Sequence, residues 1–460
     1  MEQFANLVSM LNGIVWGPYM LALLVGTGVW LTIRLAGLQF HMLAFALKQA
    51  FTPHPKKEDG SDHEGDVSHF GSLMTALSAT IGTGNIAGVA TAVVMGGPGA
   101  VFWMWITAIF GMATKYAEGL LAVKYRVVNE RGEMNGGPMY YIERGLNMKW
   151  LAVAFALFGA LASFGIGSSV QANSVAEAVL ANFQIDKLYT GLVLMVLTAI
   201  VVLGGIRSIA AAASAIVPLM AVVYVLGGLV VLVLNYDMII PALSLIVNDA
   251  FTGQAAAGGA MGLAVRYGVA RGVFSNEAGM GSAPIAAAAA RTDHPVRQAL
   301  VSMTGTFLDT IIVCSITGLV LTIGFMYGSN AFPVDEAGKT ISGAALTSHF
   351  FNMLLPGPGG WIVAFGLIFF AYSTILGWCY YGEKCVSYLF GEKSVTAYRL
   401  VYVASVLAGT IASLNLVWDI ADTLNGMMAL PNLVALLLLT KVVVDETKDF
   451  DAKRTRGELP

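Results

Sequence analysis

Two stretches decide how this chain is built: Ser78-Ala79-Thr80-Ile81-Gly82-Thr83-Gly84-Asn85-Ile86-Ala87-Gly88, and Phe274-Ser275-Asn276-Glu277-Ala278-Gly279-Met280-Gly281-Ser282-Ala283-Pro284. Each sits in the middle of a long apolar run. Each replaces the expected aliphatic side chains with glycine, hydroxyl and amide residues. A glycine inside a helix costs about 1 kcal/mol relative to alanine, so clustered glycines make helical geometry easy to abandon. At membrane depth, unwound backbone is tolerated only inside protein or beside a watery cavity. There its free N–H groups attract a carboxylate, and its free carbonyls accept an ammonium group or a hard cation. Close packing through small residues is the alternative use of such glycines. Two interrupted spans at matching places argue for unwinding.

The runs around these stretches give the organisation. The chain has 460 residues, of which 57% are hydrophobic and 12% charged, and a mean hydropathy of +0.73. A soluble domain carries about 25% charged residues, so too little polar surface exists here to cover a water-soluble globule. About 20 apolar residues cross the hydrocarbon core. On that measure the spans are Ile14–Leu35, Leu73–Gly96, Ala100–Val123, Leu151–Leu180, Leu188–Ile206, Ile209–Leu234, Gly258–Ala290, Leu300–Tyr327, Trp361–Tyr381, Val395–Leu414 and Ile420–Val444. An all-α integral membrane protein of about 11 transmembrane helices is therefore expected.

Charge placement tests that reading independently. One set of alternate loops holds Arg34, Lys48, Lys56 and Lys57, then Lys124, Arg126, Arg131, Arg144 and Lys149, then Arg207. Its later members hold Arg291 and Arg297, Lys384, Lys393 and Arg399, and in the C-terminal tail Lys441, Lys448, Lys453, Arg454 and Arg456. The opposite set holds only Lys187 and Lys339. The positive-inside rule puts the basic set in the cytoplasm, with the N-terminus outside and the C-terminus inside. Met1-Glu2-Gln3 lacks the positive start of a signal peptide, so the first run is expected to stay as a span.

The interrupted runs are the second and the seventh, five apart. Spans two to six and seven to eleven then form two sets of five. Five is odd, so the second set enters from the opposite side. That is the 5+5 inverted repeat of LeuT-type transporters, here preceded by one extra N-terminal helix. The expected divisions are 1–70 (extra helix and cytoplasmic loop), 71–235 and 236–445 (the repeats) and 446–460 (cytoplasmic tail). The outer connections Ile239–Gln254 and Ala331–Pro356 are long enough for short helices.

Specific motifs also point to a family. Gly96-Gly97-Pro98-Gly99-Ala100-Val101-Phe102-Trp103-Met104-Trp105-Ile106, followed by Phe110-Gly111-Met112, resembles the signature of the alanine/glycine:cation symporter family. Gly82–Asn85, Phe274–Gly279 and Trp418-Asp419-Ile420-Ala421-Asp422 resemble it too, and the likeness runs over nearly the whole chain. The resemblance implies a LeuT-type fold, Na⁺ as coupling ion, alanine or glycine as substrate, and a bacterial inner (plasma) membrane. Carried over by motif, the substrate-binding residues are Thr83, Gly84 and Asn85 on the first broken helix and Gln171 on the fourth span. Phe274, Ser275 and Asn276 follow on the second broken helix, and Thr374 and Trp378 on the ninth span. The chemistry agrees: Asn85 and Gln171 offer amide donors and acceptors, while Phe274 and Trp378 are able to wall a small pocket. Na⁺ prefers hard oxygens, so the backbone near Thr80 and Ile81 and the hydroxyls of Ser373 and Thr374 are the candidate cation ligands. The alternative roles are an interhelical hydrogen bond for Gln171 and core packing for the two aromatics.

Ionisable groups within spans are costly and often functional. Lys115 and Glu118 share a helix face and are expected to pair. Arg266 and Arg271 are expected either to attract carboxylates in an outer vestibule or to pair with acids. Glu277 is expected to position a gate or partner an arginine. Asp309, Asp419 and Asp422 are candidates for gating pairs or proton coupling. Cys314, Cys379 and Cys385 fall in apolar runs and read as small buried hydrophobes. A net charge of -3 gives no sign of nucleic-acid binding. No phosphate-binding loop occurs, so an ion gradient is the expected energy source. Competing readings are a proton-coupled amino-acid transporter, a channel and an intramembrane enzyme. No selectivity-filter repeat supports the channel, and the six histidines lie in loops or at span borders. His54–His69 is acidic and reads as a solvated loop, with surface metal binding as the alternative.

Overall fold

The computed structural model describes residues 2–53, 63–252, 260–335, 337–411 and 414–458. Helices α1 (Glu2–Val15) and α2 (Pro18–Arg34) form one near-continuous span. Pro18 starts α2, where the missing N–H is no loss. Helix α3 (Leu38–Phe51) follows that span. Helix α4 (His69–Thr80) is capped by Ser68, whose Oγ accepts from Gly71 N at 3.0 Å. After a π-helical turn at Gly84–Gly88, α5 (Val89–Gly96) completes the second run, bent 50° from α4. Helix α6 (Gly99–Lys124) crosses next, followed by a hairpin of β1 (Val127–Val128) and β2 (Met134–Asn135) that pairs Val127 with Asn135.

Helix α7 (Pro138–Leu146) is short and amphipathic. The fourth run is α8 (Lys149–Ala162), a π-helical stretch at Ser163–Ser169, and α9 (Val170–Phe183). Then come α10 (Lys187–Val202), α11 (Gly205–Leu234) and α12 (Ile239–Thr252). Helix α13 (Ala260–Asn276) breaks before the short α14 (Ala283–Ala287). The eighth run is α15 (Pro295–Thr306), a second long π-helical stretch at Phe307–Cys314, and α16 (Ser315–Tyr327). The remainder is α17 (Gly343–Leu354), α18 (Pro358–Phe390), α19 (Val395–Ile411), α20 (Leu414–Leu438) and α21 (Thr440–Thr455).

Helix α11 shows what the surrounding solvent is. Ala213, Val217, Met220, Tyr224 and Val231 are buried on one face, and Leu219, Val222, Leu226 and Val233 are exposed on the other. A helix apolar on both faces with one face open belongs in lipid, because water would demand a polar outer face. Long α18 runs through the middle of the bundle and packs on α4, α8, α9 and α11. Helix α6 packs on α13 and α15, and α20 on α8 and the π turn at Ser163–Ser169.

Several expectations need adjusting. Among the described residues, eight helices are long and apolar enough to cross a bilayer, or nine with the bent α4–α5 pair. Eleven is reached only by adding α10, which has 16 residues, and the interrupted α13–α14. The eleventh span, expected over Ile420–Val444, ends at Leu438, and α21 continues to Thr455 with seven charged side chains from Asp445 onward. The tenth is described as far as Ile411; residues 412 and 413 lie outside the described residues, and α20 begins at Leu414. Of the seventh, residues 258 and 259 lie outside the described residues, as do residues 54–62 of the acidic segment. Helices α3 and α7 lie in loops read as irregular. Both outer connections do carry helices, α12 and α17.

Candidate functional site

The first break begins at Ile81, which leaves the helix in an extended conformation with ψ 93°. Asn85 closes the gap from within: its Oδ1 accepts from Gly82 N at 2.9 Å. The peptide of Thr83 turns outward, and its N–H points to Gln171 Oε1 at 3.4 Å. Thr83 Oγ1 is fully buried and has no hydrogen-bond partner among the described residues. The second break runs through left-handed backbone. Glu277 takes a left-handed φ of 56°, and Gly279 and Gly281 follow at 87° and 83°. A branched residue would not adopt these values, so the glycines of this stretch are used for their backbone freedom.

Between the breaks lies a small hollow. Ala79, Thr80, Gly82 and Gly84 line it from the first break, and Phe274 and Glu277 from the second. Ile166 and Gln171 enter from the fourth run, Thr374 and Trp378 from α18, and Asn425 from α20. The walls are set closely. A side chain on Gly82 would place its Cβ 2.5 Å from Thr374 Oγ1, and one on Gly84 would lie 3.2 Å from the Phe274 ring. Gly167 lets the fourth run approach Trp378, where a Cβ would collide with that side chain. Trp378 is held at its far edge: Nε1 donates to Glu277 Oε1 at 3.0 Å, while Ser282 Oγ donates to Oε2 at 2.6 Å.

The candidate residues therefore separate into two groups. Gly84, Gln171, Phe274, Thr374 and Trp378 line the hollow, and Thr83 adjoins it through its amide. Asn85, Ser275 and Asn276 lie behind it. Asn85 Nδ2 donates to Asp309 Oδ1 at 2.7 Å, and Ser275 Oγ to Asp309 Oδ2 at 2.9 Å. Thr310 Oγ1 also reaches Oδ2, at 2.7 Å, and accepts from Asn276 Nδ2 at 3.1 Å. One fully buried carboxylate thus ties both breaks to the π turn of the eighth run. A π turn offsets the helix register by one residue and often marks a functional position. Here it turns Asp309 and Thr310 toward the same pair of breaks.

Of the expected cation ligands, Thr374 Oγ1 lies 3.4 Å from the Ile81 carbonyl and 3.0 Å from the Phe370 carbonyl. Ser373 Oγ donates to Phe370 O at 2.9 Å, and Thr80 Oγ1 to Ala76 O at 3.2 Å. Ile81 O and Thr374 Oγ1 are thus the pair that shares one space.

The ionisable groups resolve in different ways. Glu118 Oε1 accepts from Asn432 Nδ2 at 2.6 Å and from Gly281 N at 3.1 Å, so it braces the second break instead of pairing with Lys115. Lys115 lines a separate cavity on the other side of Thr80 and Asn276. Arg271 pairs with Asp422 at 3.2 Å and lies over the Phe274 ring at 5.4 Å. Arg266 stacks on Tyr267. Glu277 partners Trp378, which neither of its two expected roles anticipated. Outside the spans, His294 caps α15, its Nδ1 accepting from Val296 N at 3.3 Å. Burial pushes its imidazole below the usual range, against a smaller opposing pull from Asp449. Asn425 was not picked out from the sequence. The signal that marks it is an amide in an apolar span, the same signal that singled out Gln171.

Two discontinuous helices facing a hollow inside a bundle are the mark of LeuT-fold secondary transporters. Solved structures of that fold match. MhsT in complex with L-phenylalanine superposes with a TM-score of 0.57 at 16% identity, covering 82% of this chain and 89% of that one. A Na⁺-coupled sialic acid symporter in an outward-open state superposes at 0.54 and 13% identity, covering 94% and 86%. The family model described as "Sodium:alanine symporter family" matches residues 1–460. The chain is 61% identical over 456 residues to the sodium/alanine symporter AgcS of Methanococcus maripaludis, covering 98% of each. It is 37% identical to the probable sodium/glutamine symporter GlnT of Bacillus subtilis, covering 99% of this chain and 92% of that one. The chain belongs to the sodium:alanine symporter family.

Proposed function

We propose that this protein imports a small neutral amino acid, alanine or glycine, together with Na⁺ by alternating access. The observation that carries the reading is the hollow between the two broken helices. Its floor is the Gly82–Gly84 backbone, where the first break passes into the π-helical turn, its polar side is Gln171 and Thr374, and its lid is formed by Phe274 and Trp378. Exposed peptide dipoles replace the water that a zwitterion gives up, and the two aromatics limit the side chain to a few atoms. An excess methylene in such a pocket costs about 1–3 kcal/mol, enough to favour small substrates.

Thr83, Gly84, Gln171, Phe274, Thr374 and Trp378 contact the substrate in this reading. Asn85, Ser275 and Asn276 act from behind by fixing the breaks on Asp309 and Thr310. Na⁺ is held by the Ile81 carbonyl and the Thr374 hydroxyl, with Thr80 and Ser373 beside them. Bound cation and substrate each stabilise the arrangement the other needs, which is reciprocal coupling. Residues 71–235 and 236–445 move as the two inverted halves, with the N-terminus outside the cell membrane and the C-terminus in the cytoplasm.

Uptake of radiolabelled alanine into proteoliposomes, with Na⁺ and H⁺ gradients imposed separately, tests the proposal. Accumulation driven by Na⁺ alone is expected. Accumulation driven only by H⁺ would replace Na⁺ with the proton as coupling ion. Gradient-independent equilibration would point to a channel.

A further inference from the structure

Asn425 is 1% exposed, and neither its amide nitrogen nor its amide oxygen has a hydrogen-bond partner among the described residues. It lines the central hollow from α20. A buried amide with both ends unsatisfied is costly, and native proteins rarely keep one without a ligand or solvent to meet it. The surroundings narrow down the ligand group. The ammonium and carboxylate of a zwitterion have their complements at the Gly82–Gly84 backbone, Gln171 and Thr374. These are mutual neighbours: a Cβ on Gly82 would lie 2.5 Å from Thr374 Oγ1 and 3.4 Å from Gln171 Oε1.

Helix α20 meets the fourth run elsewhere, at Gly165, where an added Cβ would lie 2.8 Å from that of Ala421, one helical turn before Asn425. Asn425 lines the same hollow as Ile166, Phe274 and Trp378, the residues that confine the substrate's side chain in this reading. An ammonium only donates and a carboxylate only accepts, so each would satisfy half of an amide. A hydroxyl does both.

We propose that Asn425 is a specificity-determining residue that hydrogen-bonds a hydroxyl group on the substrate side chain, so that L-serine is a substrate alongside alanine. The proposal rests on the reading of the hollow as an amino-acid site. With serine bound, the hydroxymethyl oxygen accepts from Asn425 Nδ2 and donates to Oδ1. With alanine bound, the amide is left to solvent.

The test compares L-serine with L-2-aminobutyrate, which has a methyl group in place of the hydroxyl. Both compete against radiolabelled alanine in proteoliposomes holding the full-length protein. Serine is expected to inhibit at a concentration about tenfold lower than aminobutyrate, since a site built to bond a hydroxyl rejects the analogue lacking it. In Asn425→Leu the two should become equal or invert. Asn425→Ala gives the same comparison should the leucine variant not fold. Equal potency in the wild type overturns the proposal, as does an unchanged ratio in the variants. A KM for alanine raised more than about tenfold in Asn425→Leu also overturns it, because the amide would then serve the zwitterion. Ligand-induced thermal stabilisation of the purified protein reads the same serine-to-aminobutyrate ratio without transport. Absent uptake of alanine under either gradient would sink the transport reading and leave this comparison intact.

Discussion

Gly82→Ala is the sharpest perturbation of the hollow. Gly82 is not in the left-handed region, so the backbone tolerates alanine and the cost is steric. The new Cβ falls 2.5 Å from Thr374 Oγ1, where ordinary contact begins at 3.4 Å. Thr374 cannot retreat freely, because its hydroxyl donates to Phe370 O and lies against Ile81 O. Rotating it away breaks that arrangement, and overpacking of this kind costs about 1–3 kcal/mol. Spent on the bound state, that is roughly a 5- to 150-fold loss in alanine affinity, since about 1.4 kcal/mol is tenfold. Thr374→Ala removes the offending oxygen and leaves contacts at 3.4 Å with the Cβ of residue 374 and with Gln171 Oε1. The double variant should therefore recover most of the thermal stability lost in Gly82→Ala, a coupling readable from a double-mutant cycle. It should not recover Na⁺-driven uptake, because the hydroxyl offered to the cation is gone. Unfolding in detergent and uptake in proteoliposomes are measured in parallel. Normal alanine uptake by Gly82→Ala would refute the placement of the substrate, and full uptake by the double variant would refute the role of Thr374.

Trp378→Phe should admit valine and 2-aminobutyrate as competitors, because it shortens the lid and frees Glu277 from the indole N–H; an unaltered substrate range would remove Trp378 from the pocket. Asp309→Asn replaces an acceptor facing three donors with a group that itself donates, so it should lower stability by about 1–3 kcal/mol and reduce uptake, read by thermal unfolding and transport together. Gln171→Leu should raise the KM for alanine with little change in unfolding temperature, since it removes the partner of the Thr83 amide. His294 caps α15 only through a neutral Nδ1, and its folded-state value lies below the unfolded one. Its contribution, about 0.5–2 kcal/mol for a cap, is present above pH 6.5 and is lost as the pH falls below that. His294→Asn should flatten this part of the stability–pH profile.

The breaks were legible because glycine and hydroxyl residues in a lipid-spanning run have few other uses, and the structure places both facing the hollow. Gln171 was legible for a similar reason, as an amide with no place in an apolar helix. Asn425 carries the same mark, yet it follows Asp419 and Asp422 in a span crowded with polar residues, which masks it. The division of labour around Asn85 was not legible at all. Its partner Asp309 lies 224 residues away, and no local pattern reports a contact of that range. The π turns at Ser163–Ser169 and Phe307–Cys314 shift the register without changing the apolar period enough to show. Helices α3 and α7 escaped because each is too short to span and sits among charges that read as loop.

Helix α10 has consequences for the lipid around the protein. Its 16 residues rise roughly 24 Å at 1.5 Å each, several ångströms less than the hydrocarbon core of an average bilayer. Its ends are marked by Asp186 and Lys187 on one side and by the turn before Arg207 on the other, and it packs against α19 at the edge of the bundle. The membrane must dimple toward this flank or the helix must draw polar headgroups inward, at a fraction of a kcal/mol per ångström. Acyl-chain length thereby becomes a variable of the machine: shorter chains relieve the strain beside α10, and thicker sterol-rich sheets aggravate it.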